Sequence, residues 1–157
     1  MSGEESSGLI RRIHLELGEI QFVLTRIHSS WDGAGRSHDD VYLDSVALNL
    51  HGFYSGFERV FIQIAEAVDD NLPRGDNWHD LLLRQMMREV PRIRPAVISA
   101  ETGRLLDELR RFRHVVRNVY THKFNPEKIG VLVKYASEAF ERLKAELTAF
   151  ADFLEKS

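Results

Sequence analysis

Residues 10–31 read IRRIHLELGEIQFVLTRIHSSW. Their apolar side chains recur at alternating spacings of three and four residues, which places them on one face of a helix. This apolar stripe consists of Ile10, Ile13, Leu17, Ile20, Leu24, Ile27 and Trp31. A stripe of this length is typical of a long helix in a bundle or coiled coil. We therefore expect a first long helix over residues 8–31, capped by Ser6 or Ser7.

The rest of the chain also has helical patterns. Segment 32–38 contains two glycines and predicts a loop. Capping residues then mark the helix starts: Asp39 or Asp40 for a second helix running to about residue 68, Asn77 for a short third helix, Ser99 for the fourth and Asn125 for the last. Pro91 and Pro95 bound an expected extended connector. No run of alternating β-branched residues occurs, so we predict an all-α, up-and-down bundle of about five helices.

Two details of this pattern predict local structure. Gly52 and Gly56 lie one turn apart in the apolar face of the second helix and lower its helix propensity, so we expect a neighbouring backbone to come close there. Asp80 follows Asn77 at the spacing of a capping box. His79 between them is expected to be a surface residue at the helix start.

Composition restricts the class of protein. The chain has 157 residues and 43% hydrophobic side chains, which suits one globular domain over residues 1–157 and excludes disorder. It has no cysteine, which excludes disulfides and thiolate chemistry. No apolar run reaches the roughly 18 residues of a membrane span, and the polar N-terminus does not resemble a signal peptide. We expect a cytoplasmic protein without membrane association.

The charge is unevenly distributed. Residues 1–83 carry a net charge of −8, residues 84–128 carry +6 and residues 129–157 carry −1. A basic middle segment suits a polyanion or an acidic partner, including a second copy of the chain. The alternative is a solvated face whose arginines pair with the acidic helices.

Most candidate chemical groups lie in residues 110–124, RRFRHVVRNVYTHKF. On a helix, Arg110, Arg113 and Arg117 share one flank of the buried stripe. Arg117 and His122 are separated by about 140° on an ideal helix, so one helix does not direct both at one atom. Either the helix loosens near Thr121 or a second copy of the chain completes the site.

Arginine and histidine together suit cleavage of RNA by its own 2′-hydroxyl. Histidine transfers a proton near neutral pH, and arginine binds the phosphate and stabilises charge on its oxygens. No phosphate-binding glycine loop or zinc motif occurs, and we expect neither a metal nor a cofactor. A second Arg-x4-His match, Arg74 to His79, spans a predicted loop and is taken as accidental.

Three segments carry a resemblance to a known family: FYSGFER at 53–59, WHDLL at 78–82 and RNVYTH at 117–122. Over residues 40–155 the chain resembles the HEPN superfamily, and within it the HepT-like ribonuclease toxins of prokaryotic toxin–antitoxin modules. The resemblance implies a HEPN-like helical homodimer whose two Arg-x4-His motifs meet in a cleft and cut RNA without metal. It implies that Arg117 polarises the phosphate, His122 acts as acid and base, and Asn118 hydrogen-bonds the phosphate.

The resemblance also implies a partner. The family's usual partner is a minimal nucleotidyltransferase antitoxin, as in type VII systems, which attaches AMP to a tyrosine two residues after the histidine. Phe124 occupies that position here and has no hydroxyl that could accept AMP. Tyr120 is the alternative acceptor, although its place near the buried stripe favours a core tyrosine.

Four basic side chains around the motif are expected to track RNA phosphates. They are Arg110, Arg113, His114 and Lys123. The alternative is that they form salt bridges to the acidic face of a partner.

Three functions remain open on the sequence. The first is a metal-independent endoribonuclease toxin. The second is a non-catalytic HEPN module, or antitoxin-side subunit, that docks the nucleotidyltransferase. The third is a structural helical dimer in which the motif has decayed.

Overall fold

The computed structural model describes residues 1–118 and 124–157; for residues 114, 115, 117 and 118 it describes the backbone alone. These ranges form five helices and no strand: α1 (Gly3–Ser37), α2 (Asp40–Ala67), α3 (Trp78–Met86), α4 (Ala100–Asn118) and α5 (Pro126–Lys156). All five contribute side chains to one hydrophobic cluster. The predicted all-α helical bundle is therefore confirmed, with α2 in contact with each of the other helices.

The first helix is longer than predicted at both ends. Ser2, rather than Ser6 or Ser7, forms a capping box with Glu5, and the helix continues through the expected loop to Ser37. Gly33 allows this continuation because a Cβ there would lie 2.5 Å from the ring of Tyr42 in α2. His38 then ends the helix in the left-handed conformation, and its N–H donates to the carbonyl of Ala34. Packing on α2 thus maintains a helix that local glycine content disfavours.

The close approach expected at the glycine pair occurs at one member only. A Cβ on Gly56 would lie 2.6 Å from Ile20 of α1, whereas nothing lies within 4 Å of a Cβ on Gly52. Gly56 therefore permits the tight packing of α1 on α2, and Gly52 does not contribute to it. The neighbour of Gly56 is a side chain, rather than the backbone that the pattern suggested.

Three of the five predicted caps are confirmed, and two are wrong: Ser6 or Ser7 in α1, where Ser2 is the cap, and Asn77 in α3. Asp39 accepts from Val41 N–H, Ser99 accepts from Thr102 N–H, and Asn125 accepts from Glu127 and Lys128 N–H. Asn77 makes no side-chain capping bond, because its backbone leaves the extended conformation that a capping box needs. Asp80, expected to complete that box, instead accepts from Arg84 Nε at 3.1 Å.

The connection between α3 and α4 is a tight turn rather than the expected extended connector. Val90 N–H donates to the Arg94 carbonyl, and Arg92 has a φ of 69°. Arg94 is buried, and its guanidinium contacts both carboxylate oxygens of Asp69 at 2.6 and 2.7 Å. This pair fastens the start of α4 to the end of α2.

No helix within the described ranges is long and apolar enough to cross a membrane.

Candidate functional site

The basic flank of the site lies on α4, which packs against α2, α3 and α5. Leu105 and Leu109 are buried and determine which face of α4 points into the core. Arg110 and Arg113 follow on the flank of that face, and Arg117 lies one turn beyond Arg113 in the same helix. The backbone therefore aligns the three predicted arginines along one side of α4.

The predicted catalytic residues lie at and beyond the end of this helix. Arg117 and Asn118 are in the last turn of α4, and their side chains are not among the described groups. His114 is likewise described by its backbone only. His122, Lys123 and Tyr120 lie outside the described residues. Their assignments therefore stay predictions.

Arg110 is occupied by acidic groups of its own chain. Its Nη2 lies 2.8 Å from Asp107 Oδ1 and 3.7 Å from Asp80 Oδ1, and its side chain is 23% exposed. Arg110 therefore forms salt bridges, but to carboxylates of its own chain and not to the acidic face of a partner. Arg111, by contrast, is 65% exposed, although its Nη2 also contacts Asp107 at 2.9 Å.

Arg113 points toward α2, where its Nε donates to Ser55 Oγ at 3.3 Å. This bond joins a set of polar side chains from three helices that we call the polar cluster. The polar cluster consists of Tyr54, Ser55 and Glu58 of α2, His79 and Asp80 of α3, and Asp107, Arg110 and Arg113 of α4. It lies beside the arginine flank of α4, one turn before Arg117.

Glu58 and His79 form the least exposed pair in the polar cluster. Glu58 Oε2 lies 2.6 Å from His79 Nδ1, and the two side chains are 6% and 22% exposed. A carboxylate only accepts hydrogen bonds, so opposite a Glu58 carboxylate Nδ1 is the donor and Nε2 is the second ring nitrogen. The imidazole also stacks on the ring of Trp78, with a centroid separation of 3.7 Å. Both the orientation and the hydrogen position of His79 are therefore set by its neighbours.

Tyr54 lies one turn before Glu58 in α2 and is buried. Burial raises the pKa of its phenol well above the ordinary value, and the negative charge of Glu58 raises it further. Arg110 and Arg113 act in the opposite direction on the same pKa, because their positive charges lie near the phenol. Tyr54 is thus a neutral hydroxyl at neutral pH.

Phe124, the residue in place of the expected tyrosine, is half-buried between α4 and α5. Its ring centroid lies 5.9 Å from that of Phe112. The two rings line a groove of about 560 Å³ that also exposes Arg111, Lys128 and Tyr135. Aromatic rings beside two cations suit the bases and phosphates of a single-stranded nucleic acid. A second concavity, of about 570 Å³ at the junction of α1 and α2, contains Trp31 and Arg36 but also three aspartates, which disfavour a polyanion.

The sequence reasoning missed the role of α3 in this region. His79 was expected to be a surface residue, but it is half-buried and bonded to Glu58. The signal was Glu58 itself, a carboxylate within the apolar face of α2 that needs a buried partner. No group of three or more histidine or acidic side chains that could hold a metal occurs in the described part of the chain.

These features define an all-α bundle with a basic helix flank that ends in an Arg-x4-His sequence. A family model described as HepT-like protein matches residues 45–154. The chain therefore belongs to the HepT-like family of the HEPN superfamily. No curated protein and no solved structure matches the chain.

Proposed function

We propose that this protein is a metal-independent endoribonuclease toxin that cuts RNA at a site completed by two copies of the chain. The observation that carries the proposal is the family match over residues 45–154, which includes the whole Arg117-to-His122 sequence. Membership of the HepT-like family supports a toxin-like protein of the HEPN type. The same chain, residues 1–157, forms the one domain of this toxin.

The proposed reaction is transesterification. The 2′-oxygen attacks the adjacent phosphorus, the new 2′-O–P bond forms and the P–O5′ bond breaks. One His122 takes the proton of the 2′-hydroxyl, and the His122 of the second copy gives a proton to the departing 5′-oxygen. Arg117 and Asn118 stabilise the charge on the phosphate oxygens. The products are a 2′,3′-cyclic phosphate and a 5′-hydroxyl, so protons and bonds balance.

Helix geometry supports a composite site. Arg117 is still within α4, and on a continuous helix His122 would point about 140° away from it. A second copy supplies a histidine to the arginine of the first without requiring one helix to present both groups. We therefore propose that the active form is a homodimer.

The surroundings of α4 support a polyanionic substrate. Residues 84–128 carry a net charge of +6, and the groove beside Phe124 exposes Arg111 and Lys128 next to aromatic rings. RNA phosphates would be held by Arg113, His114 and Lys123 together with these cations. Arg110 contributes less directly, because Asp107 and Asp80 already compensate its charge.

The regulatory partner we propose is a minimal nucleotidyltransferase antitoxin of a type VII-like module in the cytoplasm. Phe124 has no hydroxyl, so AMP transfer to that position does not occur, and Tyr120 is the remaining acceptor within the motif. Inhibition through a stable complex with this partner does not require either residue.

A second candidate function is a non-catalytic module that only docks the nucleotidyltransferase. Two observations favour it: Phe124 replaces the modified tyrosine, and Arg110 is paired within its own chain. Such a module would form the same complex but would not cut RNA.

The deciding experiment compares induced expression of the wild type, His122→Ala and Arg117→Ala, with growth and RNA integrity followed in the same cultures. Arg104→Ala is the matched control, since Arg104 is an exposed arginine near the start of α4 that pairs with Glu101. A nuclease arrests growth and degrades RNA as wild type and as Arg104→Ala, and does neither as the two motif variants. Harmless wild-type protein and intact RNA would favour the docking module.

Purified protein separates the mechanism from effects of the cell. We expect cleavage of RNA in the presence of EDTA, with 2′,3′-cyclic phosphate ends on the products. Loss of cleavage on chelation would contradict the metal-independent mechanism.

A further inference from the structure

We propose that His79, oriented by Glu58, binds an RNA phosphate next to the cleavage site and takes up a proton when it does so. The inference rests on the proposed function for the identity of the ligand as RNA. It assigns a role to a pair that lies outside the Arg-x4-His sequence.

Contacts with two neighbours fix the orientation of the His79 ring, as is typical of a functional side chain. Its Nδ1 is held by Glu58 at 2.6 Å, and its ring face is held by Trp78. This leaves Nε2 as the ring nitrogen that Glu58 does not hold, in a side chain that is 22% exposed. In a carboxylate–histidine pair the carboxylate fixes the ring and balances the positive charge that the imidazole gains with a proton.

The cost of burying Glu58 supports this role. A buried carboxylate needs a partner, and a purely structural contact between α2 and α3 would be met as well by apolar side chains of similar volume. Instead the fold buries Glu58 to 5% exposure and gives it a histidine that is still partly exposed. In this proposal His79 becomes positively charged only when a ligand binds, and the buried Glu58 carboxylate balances that charge.

The pair lies beside the arginine flank of α4, along which the proposed RNA strand would run. Asp80, adjacent to His79, approaches Arg110 of α4, and Arg113 contacts Ser55 one turn before Glu58 in α2. Arg110 and Arg117 are two turns apart in α4, a rise of about 10 Å. The proposal therefore places His79 at a phosphate next to the one that Arg117 contacts.

The charges around His79 come from three helices. Glu58 contacts it from α2, with the neutral Tyr54 one turn before Glu58, and Asp80 follows it in α3. From α4, Arg110 approaches Asp80, and Asp107 and Arg113 lie with Arg110 near Tyr54. The arginines favour an incoming phosphate, while the carboxylates favour the protonated imidazole once the phosphate is bound.

The test measures binding apart from cleavage. His122→Ala, which cannot cut, is titrated with a fluorescein-labelled single-stranded RNA of mixed sequence between about pH 5.5 and 8, a range in which histidine changes charge. Because the complex carries one more proton than the free protein, affinity is highest at low pH and falls as pH rises. We expect log Kd to change with pH more steeply, by up to about one unit per pH unit, than it does when His79 is also replaced.

His79→Asn is the informative variant, because its amide nitrogen replaces Nδ1 as donor to Glu58 but has no counterpart of Nε2. We expect about tenfold weaker RNA binding at low pH and loss of the extra pH dependence. If the asparagine variant does not fold, His79→Gln is used; its amide nitrogen reaches the position of Nε2 but gains no proton, so we expect the extra pH dependence to be lost while part of the binding remains. Glu58→Gln, which keeps an acceptor but removes the charge, is expected to reduce the pH dependence although it touches no RNA. His28→Asn is the control, since His28 lies on α1 and bonds Ser137 of α5.

The outcomes separate the two proposals. Wild type that cuts RNA, with binding and pH dependence unchanged in folded His79→Asn, overturns the role of His79 and leaves the nuclease proposal standing. Protein that binds RNA in a His79-dependent manner but never cuts it overturns the nuclease proposal and supports His79 as a phosphate-binding group. Protein that does not bind RNA overturns both.

Discussion

Replacing Arg94 tests how α4 is fastened to the rest of the bundle. The Arg94 side chain is fully buried, and its guanidinium donates to Asp69 at 2.6 and 2.7 Å and to the carbonyls of Arg88, Pro95 and Gln85 at 2.8, 3.0 and 3.1 Å. Arg94→Ala leaves the Asp69 carboxylate buried and without its cation. Breaking a buried pair in this way costs about 3–5 kcal/mol.

This cost is large for a protein of this size. Total stability of a domain is about 5–15 kcal/mol, so the variant loses about a fifth of it or more. At about 2–4 °C per kcal/mol for a chain of this length, Tm falls by about 6–20 °C. Urea denaturation followed by circular dichroism measures the free energy of unfolding, and a thermal scan measures Tm.

Arg59→Ala is the matched control because Arg59 also makes two contacts to one carboxylate, Glu16, at 3.1 and 2.8 Å. Its side chain is 59% exposed, so we expect a loss of only about 0.2–1 kcal/mol. In Arg94→Met with Asp69→Asn, no buried charge is left uncompensated, and part of the stability should return. If Arg94→Ala costs no more than Arg59→Ala, the inference that burial determines the value of this pair is refuted.

Three further predictions concern packing and charge. Gly56→Ala should lower the free energy of unfolding by about 1–3 kcal/mol, because the new methyl would lie 2.6 Å from Ile20; a neutral effect in urea denaturation would contradict the close helix contact. Gly52→Ala should raise it by about 0.5–1 kcal/mol, since the site is open and alanine favours a helix; a loss of stability there would show a contact that the structure does not contain. Tyr54→Phe should flatten the alkaline loss of stability. The folded-state pKa of Tyr54 is raised above 10.0, so its contribution is present below that pH and is lost as pH rises, and equal alkaline slopes for wild type and variant would count against this burial effect.

The position of α4 matters for function as well as stability. Arg94 holds the turn that precedes α4, and α4 carries the arginine flank up to Arg117. A loss of nuclease activity in Arg94→Ala would therefore have a structural cause. Activity assays on this variant need to be made well below its Tm before any chemical role is assigned.

The candidate site was predictable only in part. The Arg-x4-His sequence follows from the chain alone, and Ser99 and Leu109 fix the helix that carries its first residue, Arg117. The internal pairing of Arg110 was not predictable, because Asp107 is close in sequence but Asp80 comes from another helix. The Glu58–His79 pair was missed for the same reason: it joins residues 21 positions apart through tertiary packing.

The sequence by itself determined the helical class, the apolar stripes and three helix starts, at Asp39, Ser99 and Asn125. The helix starts depend on side chains that bond backbone groups within one turn, and the apolar stripes depend on residue spacing. Both can therefore be predicted from the local sequence. Only the tertiary structure decided that α1 continues past Gly33 and that a buried carboxylate orients His79. Glycine disfavours a helix locally, and a glutamate alone favours water. Contacts with other helices override both preferences: Tyr42 packs on Gly33, and His79 bonds Glu58. The local sequence does not contain these contacts.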